Sequence, residues 1–264
     1  MKWLARGEPQ LPRDISWLSP AEAQRAAEMR FTKRRTEFLV ARWTAKRAIA
    51  GLMGQDIDPT RVEVRHHVTG APEAWLDGSP LDVGISLSDR AGWAVCLLGG
   101  APGAVGCDLE LVEPRSPGFV RDYFTPAEQR RIGADELAAN LFWSAKESVL
   151  KVLRTGLRRD TRTVEIALGT SVGTPAADGG GEWAPLTART VEGAVFPGWW
   201  CRFGDFVLTV AARGPAPRPP GTLEHPPALA AATPLHSWLT EPRRTRLTGP
   251  ATGEPPPCRG PMRR

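Results

Sequence analysis

An α+β chain of two similar halves, each a long helix packed on a small antiparallel sheet, is what three features of this sequence predict. Two capping signatures, Ser19-Pro20-Ala21-Glu22 and Thr125-Pro126-Ala127-Glu128, each place a proline at the first helical position ahead of a helical stretch. The run Trp43-Thr44-Ala45-Lys46-Arg47-Ala48-Ile49 returns as Trp143-Ser144-Ala145-Lys146-Glu147-Ser148-Val149. Short strand-like pieces return as well: Val62-Glu63-Val64 as Val164-Glu165-Ile166, and the stretch from Trp93 to Leu98 as that from Phe206 to Ala211. Four matches in one order, roughly 100 to 113 residues apart, indicate a duplicated unit with a ligand cleft between the copies.

The first half, residues 1–100, opens on the Ser19 cap and continues as a helical region through the stretch from Lys33 to Ala50, stopping around Gly51 and Gly54. Strands are expected from Arg61 to His67, Leu81 to Leu87 and Trp93 to Leu98, followed by a Gly99-to-Gly103 linker. The second half, residues 101–213, starts with an alternating stretch. Val105, Cys107, Leu109 and Leu111 share one face, and Gly106, Asp108 and Glu110 share the other, which predicts a half-buried strand carrying two carboxylates. The helix ending at Leu153 has an apolar stripe of Phe142, Ala145, Val149, Val152 and Leu153, with Glu147 and Lys151 four apart at its edge. Lys146 falls inside that stripe, where a cation needs an anionic partner or a water-filled cleft. Residues 214–264 hold thirteen of the 26 prolines and are expected to be a disordered Pro/Arg-rich tail.

Composition excludes several classes of function. The net charge of +5 is concentrated in the tail, so the remainder is nearly neutral and nucleic acid is not an expected partner. No apolar run approaches the roughly 18 residues of a membrane span, and the first ten residues lack the apolar core of an export signal, so a cytoplasmic protein is expected. Four cysteines without close pairing read as reduced core residues, and the four histidines give no zinc spacing. The first half contributes cations, with Lys33, Arg34, Arg35, Arg42 and Lys46 on one helix, and the second contributes carboxylates. Three carboxylates able to converge, with lysines beside them, suit a hard divalent cation holding a diphosphate.

The strand V-G-C-D-L-E (Val105 to Glu110) and, about forty residues on, the helix W-S-A-K-E-S-V-L-K (Trp143 to Lys151) resemble the paired signatures of one family. These are the 4′-phosphopantetheinyl transferases of the larger, surfactin- and enterobactin-synthetase-activating type. The resemblance covers about residues 15 to 212. It implies a pseudo-twofold fold with coenzyme A between the halves. The reaction implied is Mg²⁺-dependent transfer of 4′-phosphopantetheine from coenzyme A to a serine of an acyl or peptidyl carrier protein, releasing 3′,5′-ADP. Carrier proteins of polyketide, nonribosomal peptide or siderophore biosynthesis are the implied partners, and a monomer is expected.

Carried onto this chain, the resemblance implies that Asp108, Glu110 and Glu147 hold the metal, that Glu147 is the general base and that Lys151 steadies the leaving phosphate. It implies coenzyme A contacts from Arg34 and Arg42, which match a K-R-R-x-E-F-x-x-x-R pattern, and gives Lys146 an anionic partner in the ligand. Two positions depart from the pattern: Asp89 stands where many relatives have histidine, and Ala71 where many have lysine. Arg90, helped by Ser88, is the expected substitute for that histidine on the 3′-phosphate. The stretch from Phe119 to Ala139 corresponds to the carrier-docking region, with Phe119, Tyr123, Phe124 and Ile132 as apolar anchors and Arg121, Arg130 and Arg131 for an acidic helix. The rival readings are a Mg²⁺-dependent nucleoside-diphosphate hydrolase and a non-catalytic coenzyme A- or carrier-binding homologue.

Overall fold

The structure, a computed structural model, describes residues 1–54, 56–169, 182–215, 218–225 and 227–236. Before the Gly99–Gly103 connection lie β1 (Lys2–Gly7), α1 (Pro20–Glu28), α2 (Thr32–Met53), β2 (Val62–His66), β3 (Pro72–Leu76), β4 (Ser79–Pro80), β5 (Ile85–Arg90) and β6 (Trp93–Leu98). After it come β7 (Val105–Leu111), α3 (Pro117–Tyr123), α4 (Pro126–Ile132), α5 (Glu136–Leu153), β8 (Val164–Leu168), β9 (Ala184–Thr190), β10 (Val195–Phe203) and β11 (Phe206–Ala212), then β12 (Gly221–Thr222). The fold is α+β, as expected. Its sheets run β12-β1-β6-β5, β2-β3-β4 and β7-β11-β10-β9-β8, and every pairing but the parallel β1–β12 contact is antiparallel.

The alternation of each strand sorts its residues between two cores. Trp3, Val95 and Leu97 face Cys107, Leu109, Phe206 and Leu208, so the β1–β6 sheet and the β7–β11 sheet pack face to face. The intervening residues Leu4, Cys96 and Leu98 meet Ala45 and Ile49 of α2. Ala211 of β11, with Val164, Ile166 and Leu186, lies under Val149 and Val152 of α5. The order from outside to outside is therefore helix, sheet, sheet, helix. β7 is an edge strand, and its outward N–H groups need partners. Two hydroxyls of β5 supply them: Ser86 Oγ accepts from Cys107 N (3.0 Å) and Ser88 Oγ from Leu109 N (3.1 Å).

Several boundaries differ from the sequence expectation. The first helical region is broken at Met29–Phe31 into α1 and α2, and the strand expected from Leu81 starts at Ile85. Strands β1, β3, β4, β9 and β10 were not anticipated. Trp3, Leu4 and Ala5 are all buried because β1 is covered on both faces, which erases any alternation.

The larger correction concerns the tail. Residues 218–225 and 227–236 are not a free coil but a strap along the first half. Leu223 N donates to Trp3 O (2.8 Å), Trp93 Nε1 to Thr233 O (2.9 Å) and Leu235 N to Ala91 O (2.9 Å). Leu229 is fully buried with Trp3 and Phe203, and ion pairs join Glu224 to Arg6 and His236 to Glu8. A few well-spaced leucines and backbone donors to a free strand edge are enough here, although the average composition is poor. Residues 237–264, including Trp238 and Leu239, lie outside the described residues.

Candidate active site

The site forms where α5 crosses β7, and a glycine sets how close they come. A Cβ on Gly106 would lie 2.0 Å from the carbonyl oxygen of Ser148, so any side chain there would push the helix off the strand. The close approach brings α5 onto the residues beside Gly106. Lys151 Nζ donates to Asp108 Oδ1 and to Cys107 O, both at 2.8 Å. Beneath Asp108, three fully buried hydroxyls interlock: Ser144 donates to Asp108 O (2.9 Å), and Thr209 lies 2.9 Å from Ser144 Oγ and 2.7 Å from Ser148 Oγ.

Electrostatics mark the same spot. Burial, then the neighbouring Asp108, push the Glu147 carboxyl up to about 7, with Lys151 opposing. Burial and Asp108 also raise Glu110, against the lowering effect of Arg90, Arg115 and a hydrogen bond from Trp143. Burial works against the charge of Lys151, but Asp108 and further negative neighbours more than offset it and raise its pKa. Three carboxylates thus act on one another around one lysine.

Residues 104–211 match the 4′-phosphopantetheinyl transferase superfamily. The match runs from β7 to β11, so it takes in Asp108, Glu110, Glu147 and Lys151. No curated protein matches the chain. Among the described residues, no helix is long and apolar enough to cross a membrane.

Of the residues expected to contact coenzyme A or a carrier protein, the structure engages several elsewhere. Lys146 must be withdrawn. It has no exposed surface, and its ammonium is shared among Glu128 Oε2 (2.8 Å), Thr161 O (2.9 Å) and Val164 O (2.5 Å), which uses all three N–H groups. Arg42 is also withdrawn: it is 4 % exposed, lies over the Phe38 ring at 4.7 Å, donates to His66 Nε2 (2.8 Å) and sits 3.6 Å from Glu22. Because arginine only donates, His66 Nε2 must accept, so its Nδ1–H faces Gly70 O at 3.1 Å. Ser88 is buried and donates to Asp108 Oδ1 (2.9 Å), so it serves the carboxylate rather than a phosphate. The Arg90 guanidinium is engaged by Glu113 and lies 3.2 Å from Glu110. Arg34 stays exposed, and with Lys33 it offsets the rise that burial and Asp89 impose on Glu37. Of the expected docking anchors, Phe124 and Ile132 are core residues. Phe119 and Tyr123 are part-buried against Trp143, while Arg121, Arg130 and Arg131 are exposed.

Glu113, Arg115 and Asn140 are parts of the site that the sequence did not reveal. Glu113 and Arg115 lie beyond the end of β7, where no periodicity applies, whereas Asn140 shares the α5 face of Glu147 and Lys151 at i, i+7 and i+11, a signal that could have found it.

Among the described residues, no three His, Cys, Asp or Glu side chains converge tightly enough to hold a metal ion as they stand. The chemistry of the donor set nonetheless fits a hard dication: the facing groups are carboxylates, and Asp108 Oδ2 is buried with no hydrogen-bond partner. Like-charge crowding around Glu147 is what a bound dication relieves.

Proposed function

We propose that this protein is a larger-type 4′-phosphopantetheinyl transferase that moves the phosphopantetheine group of coenzyme A onto a carrier-protein serine. The observation that carries this reading is the Lys151–Asp108 contact beside a half-buried Glu147 of pKa about 7, within the stretch that matches the superfamily. Glu147, half-buried one helical turn before Lys151, is the candidate general base. The serine oxygen attacks the β-phosphorus, the bond from that phosphorus to the bridging oxygen breaks, and 3′,5′-ADP leaves. Glu147 takes the serine proton. Lys151 has spent two of its three N–H groups on Asp108 and Cys107 and has one left for the departing α-phosphate. Mg²⁺ held by Asp108, Glu110 and Glu147 would supply charge neutralisation on the diphosphate.

Arg34 and Lys33, at the start of α2, are the cations of the first half for the rest of coenzyme A. The exposed Arg121, Arg130 and Arg131 on α3 and α4 suit an acidic carrier helix, with Phe119 and Tyr123 beside them. Changing Arg130 and Arg131 together to glutamate should raise the KM for carrier protein and leave that for coenzyme A alone. The reverse pattern would move docking elsewhere.

A further inference from the structure

We propose that Arg115 is a positioning residue of this site: anchored by Asn140, it fixes the carboxylate of Glu110. The proposal rests on the reading that Glu110 takes part in phosphopantetheine transfer. Glu110 hangs from an edge strand with its side chain 12 % exposed, and nothing on β7 itself holds it. Both its oxygens are met from outside. Oε1 accepts from Trp143 Nε1 at 3.0 Å, and Oε2 accepts from Arg115 Nη2 at 2.9 Å. Arg90 also approaches Oε2, but it is shared with Glu113, whereas among the described residues Arg115 pairs with no carboxylate but Glu110.

Arg115 is itself held at two further points. Its Nε donates to Asn140 Oδ1 at 2.6 Å, and its guanidinium lies 4.8 Å from the centre of the Phe119 ring. Asn140 is fully buried, and its amide orientation is fixed by its partners: Nδ2 donates to Glu113 O (2.7 Å) and Glu136 O (2.8 Å). Flipped, it would set its oxygen against two carbonyls and its NH₂ against a guanidinium, which can only donate. A buried amide with every polar atom used, on the helix face that also carries Ser144, Glu147 and Lys151, needs a reason to be there. The reason is the aim of Arg115. With its Nε fixed by Asn140, the rigid guanidinium presents Nη2 to Oε2 in one direction while Trp143 holds Oε1, so the two donors set the carboxylate. A flexible ammonium could not make both of Arg115's contacts from one plane.

Trp143 gives a reporter that does not depend on turnover, because its indole N–H is bonded to the same carboxylate. In ¹⁵N-labelled full-length protein its resonance is assigned by its loss in Trp143→Phe, and Glu110→Ala gives the position of the unbonded indole. Arg115→Ala should move the signal towards that position and leave the other tryptophan indoles in place. It should also lower kcat about 10- to 100-fold with little change in the KM for coenzyme A, and Arg115→Lys should recover only part of each effect. If the alanine variant unfolds, Arg115→Gln reads the same two quantities. An unmoved indole with full kcat in a folded Arg115 variant, while Glu110→Ala loses turnover, overturns the positioning role and leaves the functional reading intact. Full turnover in Glu110→Ala overturns both.

Discussion

The two long helices of this protein carry one structural device twice and one chemical device once. In the first half, Lys46 Nζ sits 2.8 Å from Glu22 Oε2 and donates to Pro59 O (2.7 Å) and Val62 O (2.5 Å), while Glu22 Oε1 accepts from Val64 N (3.2 Å). In the second, Lys146 makes the same three contacts with Glu128, Thr161 O and Val164 O, and Glu128 Oε1 accepts from Ile166 N (3.0 Å). Each glutamate also closes its own helix cap, accepting from Ser19 N or Thr125 N. The lysine therefore locks a helix start, a long helix and a strand together in both halves. The next residue is where the copies part: Arg47 on α2, Glu147 on α5, and four further on Gly51 against Lys151. A motif lysine that recurs in both halves belongs to the scaffold. The residues that differ are the ones to examine for chemistry.

The sharpest way to break that contrast is to change the differing positions. Glu147→Ala and Asp108→Ala should each lower turnover by orders of magnitude in a protein that circular dichroism shows to be folded. Arg47→Ala, the matching change in the first half, should stay within about twofold, since Arg47 lies over the Trp43 ring of its own helix. Equal losses in a folded Arg47→Ala would end the claim that only one copy carries the chemistry.

The scaffold claim predicts the opposite symmetry. Removing one partner of a buried ion pair leaves the other charge uncompensated, so Glu22→Leu and Glu128→Leu should each cost about 3–5 kcal/mol in urea unfolding. Pairing either with Lys46→Met or Lys146→Met should recover much of the loss. A large cost in one half only would show that the two locks are not equivalent.

The strap distinguishes the halves in the other direction, because its hydrogen bonds and ion pairs fall on the first. A chain ending at Arg213 should lose roughly 2–3 kcal/mol from the burial of Leu229 alone. Hydrogen exchange should then rise in β1 and β6 more than in β8 and β9. An unchanged melting temperature would return these residues to the status of a dispensable tail.

The smallest of these effects is a pH slope. The folded pKa of Glu147, about 7, lies above its ordinary 4.5, so the folded protein holds a proton that the unfolded chain releases. Stability from this group is present below about pH 4.5 and is lost as pH rises through 7. The melting temperature should therefore fall between pH 5 and 8, less so in Glu147→Gln, and Mg²⁺ should restore it at pH 8 far more than at pH 5. A slope identical in the two proteins would show that Glu147 is not the group responsible.

Local periodicity explains which parts of the site were legible in the sequence. Asp108 and Glu110 are placed by strand alternation and Glu147 and Lys151 by helical spacing, and the crossing of α5 over β7 brings Lys151 onto Asp108. Lys146 was recognisable as a cation in an apolar stripe, but its partner was assigned to a ligand. The true partner, Glu128, was already in view as the third residue of a capping box, and no local rule links a cap to a lysine on the next helix. Arg90 was expected to meet a phosphate, and its actual partners were missed for the same reason: Glu113 and Glu110 reach it across a strand junction. The strap was missed because composition averages over a segment, whereas Leu229 needs only one hole in an existing core.

The central claim, transfer of phosphopantetheine by the α5–β7 site, is tested most directly by intact mass. The full-length protein is incubated with coenzyme A, Mg²⁺ and an apo carrier protein. The carrier should gain one phosphopantetheine group, 3′,5′-ADP should appear in equal amount, and Glu147→Ala should abolish both. A folded protein that leaves several apo carriers unmodified, or a folded Glu147→Ala that modifies them at the normal rate, would contradict the account.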